Sequence, residues 1–553
     1  MMKRLLVMLA SIAAVLACGL APAQNASQNS GSYAVSGVVV SAMTGQPLDR
    51  ADVALHTSAH GDLVGETTTG SDGRFVFAHL AAGKYSLTAS RRGYIGTDYD
   101  EHEGYSTAIV TGAGLTSDGL VFRLSPRAVI RGTIADEAGD PVQQARVSLY
   151  RQNLRNGLGN IVRAGVTISD DTGAYEFARL EAGNYYIAVS ARPWYATRPQ
   201  PNRDGQGNPP PDEQHSPLDV AYPTTFYADV TDSDSATPIP LKAGDQVQVN
   251  FTMHAVPAVH LSVQESIPQG RGFAMPVLTQ EVFGQPEPAQ PGMSYSWGIR
   301  DRNNEAGQTT VELDGVAPGH YSVELRGGGE SSHSASVDAS SDASLDLSQA
   351  TGLADVSGKV AMAAGEGIPD RLTVSLRSSE GRVVGGDRVN SDGTFSIHGV
   401  PPGNYEVWVA AEGSSLAVSH LTATGAATEG NLLKIGNAPV AISATVAAGS
   451  ATVTGFVRHG DKPAAGVMIL LVPKDPATER EMFRRDQSDS DGSFQMSRVV
   501  PGEYTVVAIE DGWTLDWARA EVIAHYLAGG QKVTVPARTK DFAVKEPVAV
   551  QSK

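Results

Sequence analysis

The sequence predicts an all-β protein, built as a tandem array of about five β-sandwiches with one short helix near the C-terminus. Three observations predict it. First, a short motif recurs. Ser71-Asp72-Gly73-Arg74-Phe75-Val76-Phe77 leads to Gly83-Lys84-Tyr85, and Asp171-Thr172-Gly173-Ala174-Tyr175 leads to Gly183-Asn184-Tyr185. Ser391-Asp392-Gly393-Thr394-Phe395 leads to Gly403-Asn404-Tyr405, and Ser490-Asp491-Gly492-Ser493-Phe494 to Gly502-Glu503-Tyr504. The two glycines stand 10 residues apart in all four copies, and a fixed spacing with variable filling marks a repeated supersecondary unit. Second, apolar residues alternate on both sides of the motif, as in half-buried strands. Third, the chain carries 59 Gly and 31 Pro, which suits short strands joined by tight turns.

Each element follows in order. Within the motif, Asp-Gly makes a turn, because the Asp side chain bonds nearby backbone and Gly accepts positive φ. Phe75 and Phe77 alternate into a core, and Tyr85, Leu87 and Ala89 alternate back, so the unit reads as a β-hairpin. The tyrosine two places after the second glycine fits a tyrosine corner, whose hydroxyl bonds backbone a few residues upstream. Tyr85, Tyr185, Tyr405 and Tyr504 take that place. Tyr321, in Pro318-Gly319-His320-Tyr321, exposes a fifth, degenerate copy without the Asp-Gly turn. Each of the four regular copies opens on a strand with a central glycine: Val35-Ser36-Gly37-Val38, Ile130-Arg131-Gly132-Thr133, Val356-Ser357-Gly358-Lys359 and Val453-Thr454-Gly455-Phe456. A glycine inside a strand signals close approach of another backbone. A Gly-x-Pro turn and a second alternating strand follow, as in Gly45-Gln46-Pro47 and Ala51-Asp52-Val53-Ala54-Leu55.

The domain boundaries that result are 34–126, 127–255 (with a long Pro-rich loop), 256–350 (degenerate), 351–447 and 448–548, strung end to end. In the last, residues 514–527 read as a helix with Trp517, Ala520, Ile523 or Ala524, and Leu527 on one face, stopped by Gly529-Gly530. Residues 1–23 read as a secretory signal: Lys3 and Arg4, an apolar run from Leu5 to Ala17, and Ala21-Pro22-Ala23 before the cleavage point. Val15-Leu16-Ala17-Cys18 gives a second reading, a lipobox with Cys18 as the acylated residue of an outer-membrane lipoprotein. Either way the protein is expected to be exported, periplasmic or extracellular. Cys18 is the only cysteine, so the folded part has no disulfide. No later stretch is apolar for long enough to form a transmembrane helix.

The pattern V-x-G-x-V, G-x-P, A-x-V-x-L, D-G-x-F, P-G-x-Y resembles the carboxypeptidase regulatory-like domain. That resemblance implies a seven-stranded prealbumin-like sandwich, grouped with carbohydrate-binding-like folds. It is specific for fold and nearly silent on function, because modules of this kind are attached to many unrelated proteins. The carboxypeptidase of the family name is a neighbouring catalytic domain, and its motifs are missing here.

The search for chemistry supports a non-enzymatic reading. None of the 13 histidines opens H-E-x-x-H, and there is no G-x-S-x-G elbow, no P-loop and no dinucleotide fingerprint. No cofactor and no metal site is expected. A net charge of −18 repels phosphate backbones, so nucleic acid is excluded as a partner. Three weaker constellations remain. Asp486, Asp489 and Asp491 precede Gly492 like calcium ligands, although the Asp-Gly turn accounts for them. Asp98, Asp100, Glu101 and Glu103 cluster with Tyr99 and Tyr105 in what reads as a solvated loop. The loop aromatics Trp194, Tyr195, Tyr222, Phe226, Tyr227, Tyr295 and Trp297 would suit stacking on polysaccharide, or would cap sandwich ends and fill domain contacts. Lys359 alone stands in a first strand, which argues against widespread Lys–Asn isopeptide bonds. Two readings of function follow: a binding scaffold that recognises polysaccharide or a surface protein through these loops, or a structural spacer in the envelope. Exposed loop aromatics favour the first and buried ones the second.

Overall fold

The computed structural model describes residues 31–196, 216–266, 275–289, 294–298, 308–326, 334–346, 353–363, 367–379 and 381–553. The described residues form strands throughout, with one α-helix at Ala520–Leu527. They make the predicted tandem array of β-sandwiches, and the described residues of the degenerate third copy form two four-stranded sheets.

In the first sandwich, Tyr33–Ser41 runs antiparallel to Arg74–Leu80 and parallel to Leu120–Leu124. The facing sheet is built on Leu63–Thr68, Asp52–Thr57 and Gly83–Ser90. The second and fourth sandwiches repeat this plan with Ala128–Asp136 and Ala354–Met362 as first strands, each flanked by an antiparallel and a parallel neighbour. The third packs the four-stranded sheet around Val259–Ser266 and Gln308–Val316 on another around Met275–Val282 and Gly319–Arg326. In the fifth, Val548–Gln551 runs parallel to both Ala451–His459 and Gly502–Ile509, joining the two sheets at one edge. That strand carries the domain to Gln551, past the expected end at 548.

The motif itself differs from the expected hairpin. Arg74–Leu80 belongs to one sheet and Gly83–Ser90 to the other. The same holds for Ala174–Leu180 and Gly183–Ser190, for Thr394–Val400 and Gly403–Ala410, and for the corresponding strands of the fifth sandwich up to the bridging edge. The unit is therefore an arch between sheets. Its cause is a bulge: the residue four places before the second glycine has positive φ in all five copies, at His79 (59°), Arg179 (63°), Gly315 (72°), Gly399 (70°) and Arg498 (55°). Such a residue breaks the ladder and swings the strand out of its sheet, and the pairing registers shift at these points. The tyrosine then fastens the corner. Tyr85 Oη donates to Ala81 O at 3.0 Å, Tyr185 to Glu181 O at 3.1 Å, Tyr321 to Ala317 O at 2.8 Å, Tyr405 to Pro401 O at 2.9 Å and Tyr504 to Val500 O at 2.6 Å.

The two recurrent glycines of the sheet core have steric causes. At Gly73, Gly173, Gly393 and Gly492, φ is 69°, 74°, 87° and 79°, and their carbonyls accept from Val39, Ile134, Val360 and Val457 of the first strands. In those strands, a Cβ at Gly37 would lie 2.3 Å from Leu120 O, and one at Gly132 1.7 Å from Val249 O. The parallel last strand and the motif's first aromatic close over that position, so no side chain fits.

The helix is shorter than the predicted 514–527. Gly512–Thr514 is a 3-10 turn, and the α-helix starts only at Ala520. Trp517 and Ala518 are instead turned onto the second sandwich, where Ala518 N donates to Gly157 O at 2.9 Å. A tertiary contact overrides helical periodicity across these residues.

The sandwiches are also not strung end to end: the first docks on the fifth. Gln487 Nε2 donates to Asp100 O (2.6 Å) and Thr107 Oγ1 (2.8 Å), and Lys84 Nζ reaches Asp489 Oδ2 (2.5 Å). The second sandwich touches the fifth as well, through Arg519 Nη2 to Leu158 O at 2.9 Å. The chain thus folds back on itself.

Candidate interaction surfaces

The loop aromatics do not form one exposed platform. Trp194 is 78 % exposed and meets Tyr195 edge-on at 5.8 Å, while the Tyr195 hydroxyl donates to Glu137. Tyr222 and Phe226 are 1 % and 0 % exposed. Neither can stack on a sugar, contrary to the expectation for these two loop positions. Tyr222 lies in the core of the second sandwich, and Tyr227 packs against that core beside Phe251. Phe226 joins Tyr150 and Tyr186 in a socket that receives Phe283 from the third sandwich, at ring distances of 5.7, 5.2 and 5.0 Å. Tyr295 and Trp297 lie in the strand Ser294–Gly298, and their side chains fall outside the described residues. The stretch expected to be a secretory signal, Cys18 and most of the Pro-rich loop after Arg198 also fall outside them.

The acidic-aromatic loop of the first sandwich is a docking element, not a solvated loop. His102 stacks on Trp513 at 5.1 Å with the rings 9° apart, and its Nδ1 lies 3.2 Å from Gln487 Oε1. Ala108 and Ser490 exchange contacts like a sheet edge: Ser490 N donates to Ala108 O at 2.9 Å, Ala108 N to Asp489 Oδ1 at 3.1 Å, and Val110 N to Ser490 Oγ at 2.8 Å. Asp489 is therefore a bridge to the first sandwich. Asp486 accepts from Gln495 N at 2.7 Å, and Asp491 from Ser493 N at 2.9 Å. Local backbone and the neighbouring domain occupy all three carboxylates of the calcium-like stretch. Among the described residues no group of three His, Cys, Asp or Glu side chains is placed to hold a metal ion.

Two further interfaces carry buried charge. Between the second and third sandwiches, His260 Nε2 lies 2.7 Å from Asp219 Oδ2 and its Nδ1 2.8 Å from Asp314 Oδ1. The two carboxylates hold the imidazole in its charged form, up to about 9, against the opposing effect of burial. Between the fourth and fifth, Glu481 accepts from Val418 N (3.1 Å) and Asn431 Nδ2 (2.6 Å). Burial pushes its carboxyl up to about 7. Arg480 Nε pairs with buried Glu406 at 2.6 Å.

The surface of the described residues also holds concavities. One, of about 850 Å³, lies on the second sheet of the first sandwich and is lined by Asp52, Glu66, Asp98 and Glu101 with threonines. Thr68 Oγ1 donates to Asp52 there at 3.0 Å, and burial raises the Asp98 carboxyl above its ordinary value. Another, of about 350 Å³, lies where the first, second and fifth sandwiches meet.

Comparison with known proteins agrees with this architecture. Residues 34–117, 129–208 and 355–432 match the carboxypeptidase regulatory-like domain. The chain carries three carboxypeptidase regulatory-like domains. Residues 451–530 match the second β-sandwich domain of the BOS complex subunit NOMO1-like family. A serine-aspartate repeat-containing protein F of Staphylococcus epidermidis is 28 % identical over 141 residues, 23 % of this chain and 8 % of that protein. The chain thus matches only a small part of that relative's length. Among solved structures, the Bacillus anthracis TIE protein is 10 % identical with a TM-score of 0.17, covering 75 % of this chain and 73 % of that one. A minor pilin of Streptococcus agalactiae is 16 % identical with a TM-score of 0.20, covering 41 % and 97 %. No helix among the described residues is long and apolar enough to cross a membrane.

Apart from Phe226, whose place in a domain contact was one reading of the loop aromatics, the interdomain contacts were not legible in the sequence. Gln487, Asp489, His102, Trp513, His260 and Glu481 lie tens to hundreds of positions from their partners. The one local signal was the run of aromatics and carboxylates from Asp98 to Tyr105, too dense for an idle loop.

Proposed function

We propose that this chain is an exported, non-catalytic scaffold of the cell envelope or surface, presenting protein or polysaccharide contact surfaces from a folded-back body. The docking of the first sandwich on the fifth carries this reading. Docking puts the chain's most elaborate polar contacts, around Gln487 and Asp489, into holding domains together rather than into an open reactive site. The matched domains and the signal-like N-terminus support the same assignment. Small-angle X-ray scattering on the mature protein tests it. A single compact body of this length has a radius of gyration of about 24 Å, and a folded-back array lies closer to that than a row of five beads does. A profile fitted only by an extended row would overturn the scaffold geometry.

A narrower glycan reading rests on Trp194, the exposed member of the aromatic set, with Tyr195 braced on Glu137 beside it. A glycan array comparing the protein with Trp194→Ala tests it. Binding lost in the variant supports the reading, and binding unchanged or absent removes it.

A further inference from the structure

The cleft at the junction of the first, second and fifth sandwiches has an unusual charge. Its lining includes Arg155, Arg484 and Arg485 against one carboxylate, Asp486, in a chain whose net charge is −18. Arg484 is fully engaged, donating to the carbonyls of Glu481 and Phe483 at 2.8 and 2.6 Å and to Ser415. Arg485 is not. It is 8 % exposed, and its guanidinium carbon sits 4.7, 5.2 and 5.5 Å from the rings of Tyr105, Trp517 and Trp513. Tyr105 supplies a side-chain hydrogen bond, but Nε and Nη1 are sealed with no hydrogen-bond partner. No carboxylate among the described residues forms an ion pair with it. Glu103 acts on it only through space, so this buried cation among aromatic faces lacks the bonded counter-charge that such groups usually have.

Beside it, Arg155 reaches in from the second sandwich with its side chain 68 % exposed, and Glu103 stands 3.9 Å away. An exposed arginine fork lining a positive, partly apolar cleft matches the planar two-oxygen geometry of a carboxylate. Phe483, Met496 and Trp517 give the lining its apolar part. Asp486 in the same lining disfavours a dianion. The volume of about 350 Å³ falls within the range of small-molecule sites.

We propose that this cleft binds a small organic carboxylate with an apolar body, its carboxylate held by Arg155 in the field of Arg485 and its body set against Phe483 and Met496. Because three sandwiches supply the walls, the ligand stabilises the folded-back arrangement as it binds.

The test uses the full mature chain, with benzoate and 3-methylbutanoate as probes, followed by tryptophan fluorescence and calorimetry. Benzamide serves as the uncharged analogue and inorganic phosphate as the bare anion. Saturable binding of at least one carboxylate with a rise in thermal midpoint is expected. Arg155→Gln should weaken it about ten-fold, the loss of a charge-assisted hydrogen bond. Ser497→Trp, at an exposed lining position, should block the cleft while circular dichroism stays unchanged. No binding by either carboxylate, benzamide binding as tightly as benzoate, phosphate binding alone, or full affinity in Arg155→Gln would each overturn the proposal. These outcomes are separate from the scattering result, which reads domain arrangement without ligand.

Discussion

Gln487→Leu should open the contact between the first and fifth sandwiches while leaving each folded. Gln487 is 1 % exposed and lies at the end of the strand Arg484–Gln487. Its amide makes three hydrogen bonds across the interface, to Asp100 O at 2.6 Å, Thr107 Oγ1 at 2.8 Å and His102 Nδ1 at 3.2 Å. Leucine keeps most of the volume and removes all three. A neutral hydrogen bond contributes about 0.5–1.5 kcal/mol net, and a buried group left unpaired costs about 1–3 kcal/mol. Thr107 keeps its donation to Asp100 Oδ2, so the unpaired burden falls on the Asp100 carbonyl and His102. A loss of about 3 kcal/mol follows, a shift of roughly 150-fold toward the undocked state. Two readouts check it. The scattering profile should broaden, and Trp513 fluorescence should change as its stack with His102 parts. Urea unfolding of the fifth sandwich should keep its slope, since the surface exposed by that unfolding is nearly unchanged. Identical scattering and identical Trp513 emission in the variant would refute the reasoning, because the amide would then hold nothing that solvent does not replace.

Four further outcomes are expected. Glu481 titrates higher in the folded protein, about 7, than in an unfolded chain, 4.5; the folded state binds the proton more tightly, so stability should fall as pH rises between those values and flatten above. Glu481→Gln should remove that slope in pH-dependent melting. His260 is raised to about 9 from 6.5; its bridge should be fully present below pH 6.5 and lost as pH rises through 9, and His260→Gln should abolish this loss in melts between pH 6 and 10. Gly157→Ala would place a Cβ 2.5 Å from Trp517 Cδ2 at a φ of 70°. It should cost about 1–2 kcal/mol from the backbone alone and release the second sandwich from the fifth, read as greater proteolytic access after Trp517. Tyr504→Phe should lose about 1 kcal/mol of stability in urea titration through its corner bond, with the scattering profile unchanged.

Each sandwich was legible because its signals are local. The Asp-Gly turn, the strand glycine and the corner tyrosine each answer a constraint met within a few residues: a positive φ, a backbone passing too close for a Cβ, a carbonyl four places back. The arch escaped because its decisive residue carries no chemical mark. His79, Arg179 and Arg498 take positive φ where Gly315 and Gly399 also stand, and nothing in a histidine or arginine announces a bulge. The helix start escaped because Trp517 fits a helical stripe equally well and is drawn away by Gly157.

The sequence by itself determined the fold class, the number of sandwiches and the place of each corner, since alternation and turn chemistry act along the chain. Only the tertiary structure decided that the ends meet, that Phe226 and Tyr222 are sealed, and that Arg485 is buried among three rings beside a cleft. Those facts depend on which faces of separate sandwiches touch. That choice is made by shape and charge matched across residues hundreds of positions apart, and no spacing rule along the chain records it.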